Sequence, residues 1–179
     1  ILILDLDLVP IIEKVIDECP NVEKLIILCS KADLPSTKFS DVISYEELLA
    51  TGSENFQWVS GDETDACGIC YTSGTTGNPK GVVYTHRSNT LHALTQAAPD
   101  MLNLSSTDTI MPVVPLFHAN GWSIAYTAPL VGSSIVFPGG DLSPSSLYDM
   151  LEKGVTITAA VPTVWLLLLN FLKSEKKEL

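Results

Sequence analysis

Apolar runs of strand length alternate with stretches of helical period along most of this chain, and that alternation restricts the fold more than any other feature. Ile1 to Leu6 reads as a strand, Pro10 to Cys19 as a helix with proline in its first turn, and Lys24 to Cys29 as a second strand, together a βαβ unit. After a polar segment from Ser30 to Asp41, Ser44 and Glu47 have the spacing of a capping box for a short helix ending near Gly52. Residues 53–65 read as a surface connection. Beyond Ala66 the spacing predicts a strand over 66–71, a glycine-rich loop, a strand over 81–84, a helix over 88–98 and a strand over 109–114. A helix over 120–128, a strand over 134–137, a helix opened by Ser143-Pro144 and closed by Gly154, a strand over 155–161 and a helix from Pro162 complete the series. Strict alternation implies right-handed crossovers and helices on both faces of a mainly parallel sheet. The fold class is therefore α/β, with mainly parallel sheets flanked by helices. At 179 residues the chain can bury one sizeable core in one or at most two domains, and it carries no internal repeat or low-complexity segment.

Charge narrows the function classes. Ten basic against 21 acidic residues give a net charge of -11, which repels nucleic-acid backbones and anionic lipid, so no nucleic-acid partner is expected. A phosphate site in such a chain must be a local arrangement of backbone N–H groups and one or two cations. No apolar run approaches the roughly 20 residues that a bilayer requires, so no transmembrane segment is expected. The first residues show no initiator Met, basic segment or cleavage site, residue 1 already reads as a strand, and Leu179 follows a charged helical tail. The expectation is a fragment of something longer, and a cytoplasmic one, given the lack of an export signal.

The four cysteines are Cys19, Cys29, Cys67 and Cys70. Cys67-Gly-Ile-Cys70 has a metal or redox spacing, but no second ligand pair matches it, and in a regular strand positions 67 and 70 face opposite ways. Ordinary small buried residues of a reduced protein are the reading preferred over a metal site.

The stretch Tyr71 to His86 packs three glycines, several hydroxyl side chains and Lys80 between two apolar runs. It is neither a Walker A loop, since Gly77 is followed by Asn78-Pro79-Lys80-Gly81, nor a G-x-G-x-x-G turn. Glycines that let backbone N–H groups approach, hydroxyls from Thr72, Ser73, Thr75 and Thr76, and the point charge of Lys80 give it the chemistry of an anion cradle. A β-hairpin with a long Gly/Thr turn is the competing reading, because the loop runs between two strands.

The run Tyr71-Thr-Ser-Gly-Thr-Thr-Gly-Asn-Pro-Lys-Gly-Val82 resembles the phosphate-binding signature of the adenylate-forming (AMP-binding) superfamily, which includes acyl-CoA synthetases, luciferases and peptide-synthetase adenylation domains. Pro115-Leu-Phe-His-Ala-Asn-Gly-Trp122 resembles its acid-binding motif, and Thr158-Ala-Ala-Val-Pro-Thr-Val-Trp165 the strand-to-helix corner lining its acyl pocket. The finer resemblance, through Phe117-His118, Asn120, Trp122, Val161 to Trp165 and the opening Asp5-Leu-Asp-Leu-Val-Pro-Ile, is to medium- and long-chain fatty acyl-CoA synthetases.

That resemblance implies that residues 1–179 are an internal slice of a single large N-terminal AMP-binding domain, the small C-terminal domain being absent. It implies an acid-thiol ligase that converts fatty acid and ATP to acyl-AMP and then to a thioester with CoA, with Mg²⁺ as metal. Thr72, Ser73, Gly74, Thr75, Thr76, Gly77 and Lys80 would hold the ATP phosphates, and Thr72 would also reach the metal. His118 and Lys80 would be the catalytic residues, with His118, Asn120, Trp122, Val161 and Pro162 meeting the acyl substrate. His118 would orient the substrate carboxylate rather than act as a base, because a fatty acid is already ionised at neutral pH. Trp122 would gate a fatty-acid tunnel, while His86 and His92 stay structural. A homodimer of the full-length protein is a further implication.

Two positions depart from the pattern: Ala160 where glycine is expected, its methyl narrowing the space beside it, and Gly121 where alanine is frequent. Motifs for adenine, ribose, hinge and late lysine are missing, and Ser60-Gly61-Asp62 lies in the wrong order to serve as the ribose motif. The fragment alone is therefore expected to be inactive, the activity belonging to the longer chain. Two other readings share the loop: a non-catalytic nucleotide-binding or scaffold protein, and an adenylating module that loads an acyl carrier protein.

Overall fold

The computed structural model describes residues 1–73 and 77–179. They fall into two compact units, Ile1–Val59 and Ser60–Leu179, divided within the segment expected to be a surface connection.

The first unit is built on three parallel strands, β1 (Leu2–Asp5), β2 (Leu25–Leu28) and β3 (Val42–Ser44), in that order. Leu25, Ile26 and Ile27 are all buried, as a continuous apolar run on a central strand requires. Leu4, Val9, Leu25 and Ile27 form the core under α1 (Val9–Val15). The α1 helix is shorter than the 10–19 expected, tightening into a 3₁₀ turn at Ile16–Glu18, because Cys19 precedes Pro20 and a residue before proline avoids the helical region. Strand β3 was invisible in the sequence, three residues being too few to show a period. Ser44 caps α2 (Tyr45–Ala50) by accepting a hydrogen bond from the Glu47 amide at 3.2 Å. The Glu47 carboxylate pairs with Lys31 at 2.7 Å and accepts from the Ser44 hydroxyl, so only half of a capping box forms.

The second unit opens with two antiparallel strands, β4 (Ala66–Thr72) and β5 (Lys80–Thr85), so the strands that flank the glycine-rich loop pair as the hairpin reading expected. Helix α3 (His86–Ala97) follows at once, with Thr85 and Ser88 forming a complete capping box. The remaining strands, β6 (Thr109–Pro112), β7 (Ser134–Ile135) and β8 (Ile157–Ala159), make a parallel sheet in the order β7-β6-β8. Side chains alternate across β6. Ile110 joins Val114, Ala159 and the residues Ile124 and Ala128 of α5 (Ile124–Val131) on one face. Met111 and Val113 join Leu147 of α6 (Pro144–Leu151) on the other, with Val164 and Trp165 of α7 (Pro162–Glu175) packed against them. Ser143 caps α6 and Pro144 and Pro162 occupy first turns, as the sequence signals indicated.

Where a helix over 120–128 was expected, the chain instead makes a single turn, α4 (Ala119–Trp122), and only then the right-handed α5. Five successive residues have positive φ: Ala119 (45°), Asn120 (51°), Gly121 (61°), Trp122 (55°) and Ser123 (65°). The turn is left-handed. Such backbone costs on the order of 1–2 kcal/mol for each non-glycine residue, so surrounding structure must hold it. Buried Gly121, Ser123 and Ile124 supply the anchorage, although the Ser123 hydroxyl finds no hydrogen-bond partner among the described residues.

Asp108 ties the ends of the sheet together. It accepts hydrogen bonds from the Ser105 hydroxyl and amide, both at 2.8 Å, and from the Thr156 hydroxyl at 2.9 Å. These bonds, the Ser105 hydroxyl first, hold its carboxyl below the usual aspartate range. A depressed pKa contributes stability above the unfolded value of about 3.9, and that contribution is lost as pH falls through the folded value. The Tm of the intact protein, followed from about pH 6 to about pH 3, is expected to fall less steeply for Asp108→Asn than for wild type. Parallel curves would show that the clamp does not titrate with folding.

Candidate functional site

The mouth of the β4/β5 hairpin gathers part of the expected phosphate cradle. Thr72 and Lys80 are register partners on the last rung, and both are exposed, as is Ser73. Gly77 has φ of 87°, a conformation glycine adopts without steric cost. Gly74, Thr75 and Thr76 lie outside the described residues. A paired Thr–Lys rung sets a hydroxyl and an ammonium side by side at the loop's base, donors suited to an anionic ligand.

A second constellation lies at the carboxyl ends of β6 and β8. The chain leaving β6 runs through Val114, Pro115, Phe117 and His118 into α4, and the chain leaving β8 passes Val161 into α7. Val114, Pro115, Phe117, His118, Trp122 and Val161 enclose an apolar cavity of about 240 Å³. In open α/β sheets, the crevice outside the carboxyl ends of the strands is where ligands bind. His118 stands exposed at the rim, its amide donating to the Pro115 carbonyl at 3.0 Å.

Three of the five residues expected at the acyl substrate thus meet in one cavity: His118, Trp122 and Val161. The other two do not line it. Pro162 begins α7, and Asn120, half-buried, turns its Oδ1 to the Cys70 thiol of β4, which donates at 3.7 Å. Ala160 does not line it either: it is buried in the Met111, Val113 and Leu147 cluster, so its extra methyl fills core rather than the cavity. At Gly121 a methyl would come within 2.8 Å of the end of Leu116 and would sit on positive-φ backbone, so here glycine suits the turn better than alanine.

The cysteines correct two inferences, and the first is burial: Cys19 and Cys67 are exposed, and Cys29 and Cys70 only half-buried. A bulge between Ala66 and Gly68 breaks the alternation of β4. Both thiols consequently act on one neighbour, Tyr126 of α5: burial pushes its phenol up, Cys67 and Cys70 add to the rise, and a hydrogen bond with Asn89 opposes it. Asn89 also donates to Cys67 at 3.2 Å. Cys67, Asn89, Tyr126, His86, Ala93 and Leu130 line a larger groove of about 570 Å³ between α3 and α5. No cluster of three or more metal-ligating side chains occurs among the described residues.

Sequence reasoning missed Val114 as a cavity wall, though it continues the apolar run of β6, and had Pro115 and Phe117 only as part of the acid-binding motif. It also missed the role of Cys70, which has no local signal because its partner lies 50 residues away.

The family described as AMP-binding enzyme matches residues 4–179. The chain is 44% identical over 166 residues to the medium-chain-fatty-acid–CoA ligase of Ectopseudomonas oleovorans, covering 92% of this chain and 30% of that protein. It is 42% identical over 175 residues to the long-chain-fatty-acid–CoA ligase of Thermus thermophilus, covering 97% of this chain and 31% of the relative. Among solved structures, a long-chain-fatty-acid–CoA ligase from Archaeoglobus fulgidus superposes with a TM-score of 0.75 at 26% identity, over 96% of this chain and 32% of the other. The chain therefore spans under a third of the length of these curated relatives.

Proposed function

The chain belongs to the AMP-binding enzyme family, and on that premise we propose that it is the phosphate-loop and acid-binding slice of the N-terminal domain of a fatty acid:CoA ligase. One observation carries the reading: His118, Trp122 and Val161, drawn from two separate motifs, converge on a single apolar cavity at the carboxyl ends of β6 and β8. Relatives named as medium- and long-chain fatty acid–CoA ligases support the substrate class.

In the proposed reaction a carboxylate oxygen attacks the α-phosphorus of ATP, the bond to the bridging oxygen breaks, and pyrophosphate leaves. The CoA thiol then attacks the acyl carbonyl, releasing AMP. Lys80 and the hydroxyls and amides of Thr72 to Gly77 hold the β- and γ-phosphates, where negative charge grows as pyrophosphate departs. His118 at the cavity rim orients the carboxylate as a hydrogen-bond donor, and Phe117 and Trp122 keep water from the reacting end. The Thr72 hydroxyl is a hard oxygen donor of the kind Mg²⁺ accepts, and few other protein ligands are needed when phosphates and waters complete the shell. When bound, Mg²⁺ supplies charge neutralisation on the phosphate oxygens.

The cavity beside His118 is smaller than the roughly 300–1,000 Å³ usual for ligand sites, whereas the groove between α3 and α5 falls within that range. We assign the acyl tail to the groove. Leu130→Trp, which fills it, is expected to move the preferred acid towards shorter chains across a ladder of fatty acids. An unchanged ladder would put the tail elsewhere.

Acid-dependent exchange of labelled pyrophosphate into ATP by the intact protein tests the whole reading. Exchange that requires a fatty acid supports the ligase; ATP binding without exchange for any acid overturns it.

A further inference from the structure

Strand β4 carries two thiols that engage side-chain amides of other elements, and their partners differ in kind. Cys67 meets Asn89 on α3, an ordinary right-handed helix. Cys70 meets Asn120 inside the left-handed turn, across 50 residues of sequence. Among the described residues this is the one side-chain hydrogen bond that joins the hairpin to the segment 115–123.

Its position gives it leverage. Cys70 pairs with Val82 two rungs from the Thr72–Lys80 rung at the mouth of the loop. Asn120 lies two residues after His118 and two before Trp122, both of which line the cavity. The turn is intrinsically costly, and asparagine is one of the few residues that enter left-handed backbone readily. A thiol is a weak donor and a weak acceptor, and the two partners show both uses: Cys67 accepts from the Asn89 amide, whereas Cys70 donates to the Asn120 carbonyl oxygen at 3.7 Å.

We propose that Cys70 is a positioning residue for the acid-binding turn: its hydrogen bond to Asn120 holds the left-handed backbone that presents His118 and Trp122, in fixed relation to the phosphate hairpin. The proposal rests on the ligase reading for its kinetic consequence but not for the contact itself. The bond links the two motifs that must hold ATP and acid together for adenylation, so its loss falls on use of the acid rather than on ATP binding.

The test is a double-mutant cycle in the intact protein with Cys70→Ala, Asn120→Gly and the pair, plus Cys70→Ser. Glycine is chosen at 120 because it removes the amide while tolerating positive φ. Each single variant is expected to raise KM for the fatty acid in pyrophosphate exchange roughly three- to tenfold, the effect of one hydrogen bond, with KM for ATP within about twofold. The double variant should be no worse than the poorer single, and Cys70→Ser, which keeps a donor, should recover most of the loss. Additive effects of the two substitutions, or serine no better than alanine, would overturn the proposal. A parallel cycle on ligand-free Tm reads the contact without any activity. If the wild type shows no acid-dependent exchange, the ligase reading fails and the Tm cycle alone decides: non-additive shifts sustain the Cys70–Asn120 link, and additive shifts remove it.

Discussion

Replacing Lys80 with alanine is expected to lower acid-dependent pyrophosphate exchange by roughly 100- to 1,000-fold, the usual loss when one preorganised donor to developing charge is removed. Lys80 is exposed and stands at the start of β5 opposite Thr72, so truncation leaves no cavity and breaks no backbone rung. The fold should therefore survive, and the Tm of the variant should stay close to wild type. The local charge matters more here than in a basic protein, because the net charge of -11 repels a polyphosphate from everywhere else. Lys80→Arg keeps the charge but changes its shape and reach, and partial activity is expected. Exchange unaltered in Lys80→Ala would remove the hairpin mouth from the phosphate site.

The second large effect is on stability. Ile110, fully buried on the central strand β6, packs with Val114, Ile124, Ala128 and Ala159. Ile110→Ala should cost about 2–5 kcal/mol, the sum of lost transfer free energy and an unfilled cavity between sheet and helix. Val83→Ala, on an exposed position of β5, serves as the comparison and should shift stability by less than about 0.5 kcal/mol. Chemical denaturation of the intact protein measures both. Equal, small shifts would mean that β6 is not the axis of this core.

The elements that sequence reading located are those with a chemical marker at their ends. Ser44, Ser143, Pro144 and Pro162 sit at helix starts because oxygen acceptors and a missing N–H suit the first turn. Continuous apolar runs identified β2 and β6 because a strand covered on both faces has no polar side to show. What failed has a common cause: hydrophobic period reports burial and says nothing of backbone hand. Buried Gly121, Ile124 and Ala128 recur at helical spacing, yet residues 119–123 wind the other way. Asn120-Gly121 was the available warning, a dipeptide that marks turns and positive φ. Nothing local marks Ala119, Trp122 or Ser123, whose conformation is imposed by packing. The bulge at Cys67 was hidden for the same reason, since an extra residue in a strand has no composition of its own. At the site, the motifs placed His118, Trp122 and Val161 together, while the 50-residue link from Cys70 exists only once the chain has folded.

Strand β6 is held from both sides, Ile110 and Val114 in one layer and Met111 and Val113 in the other. Any displacement of that strand must compress two close-packed layers at once, and close-packed interiors yield little. The cavity beside His118 therefore has a stiff floor, formed where β6 ends, and a compliant wall in residues 115–118, which are exposed. Under the proposed ligase reading, an arriving acid would meet an anvil rather than a cushion: it could rearrange the wall, but the floor would set how deep its carboxylate travels. Amide hydrogens of Ile110 and Met111 should accordingly exchange among the slowest in the protein, and those of Leu116 and Phe117 among the fastest.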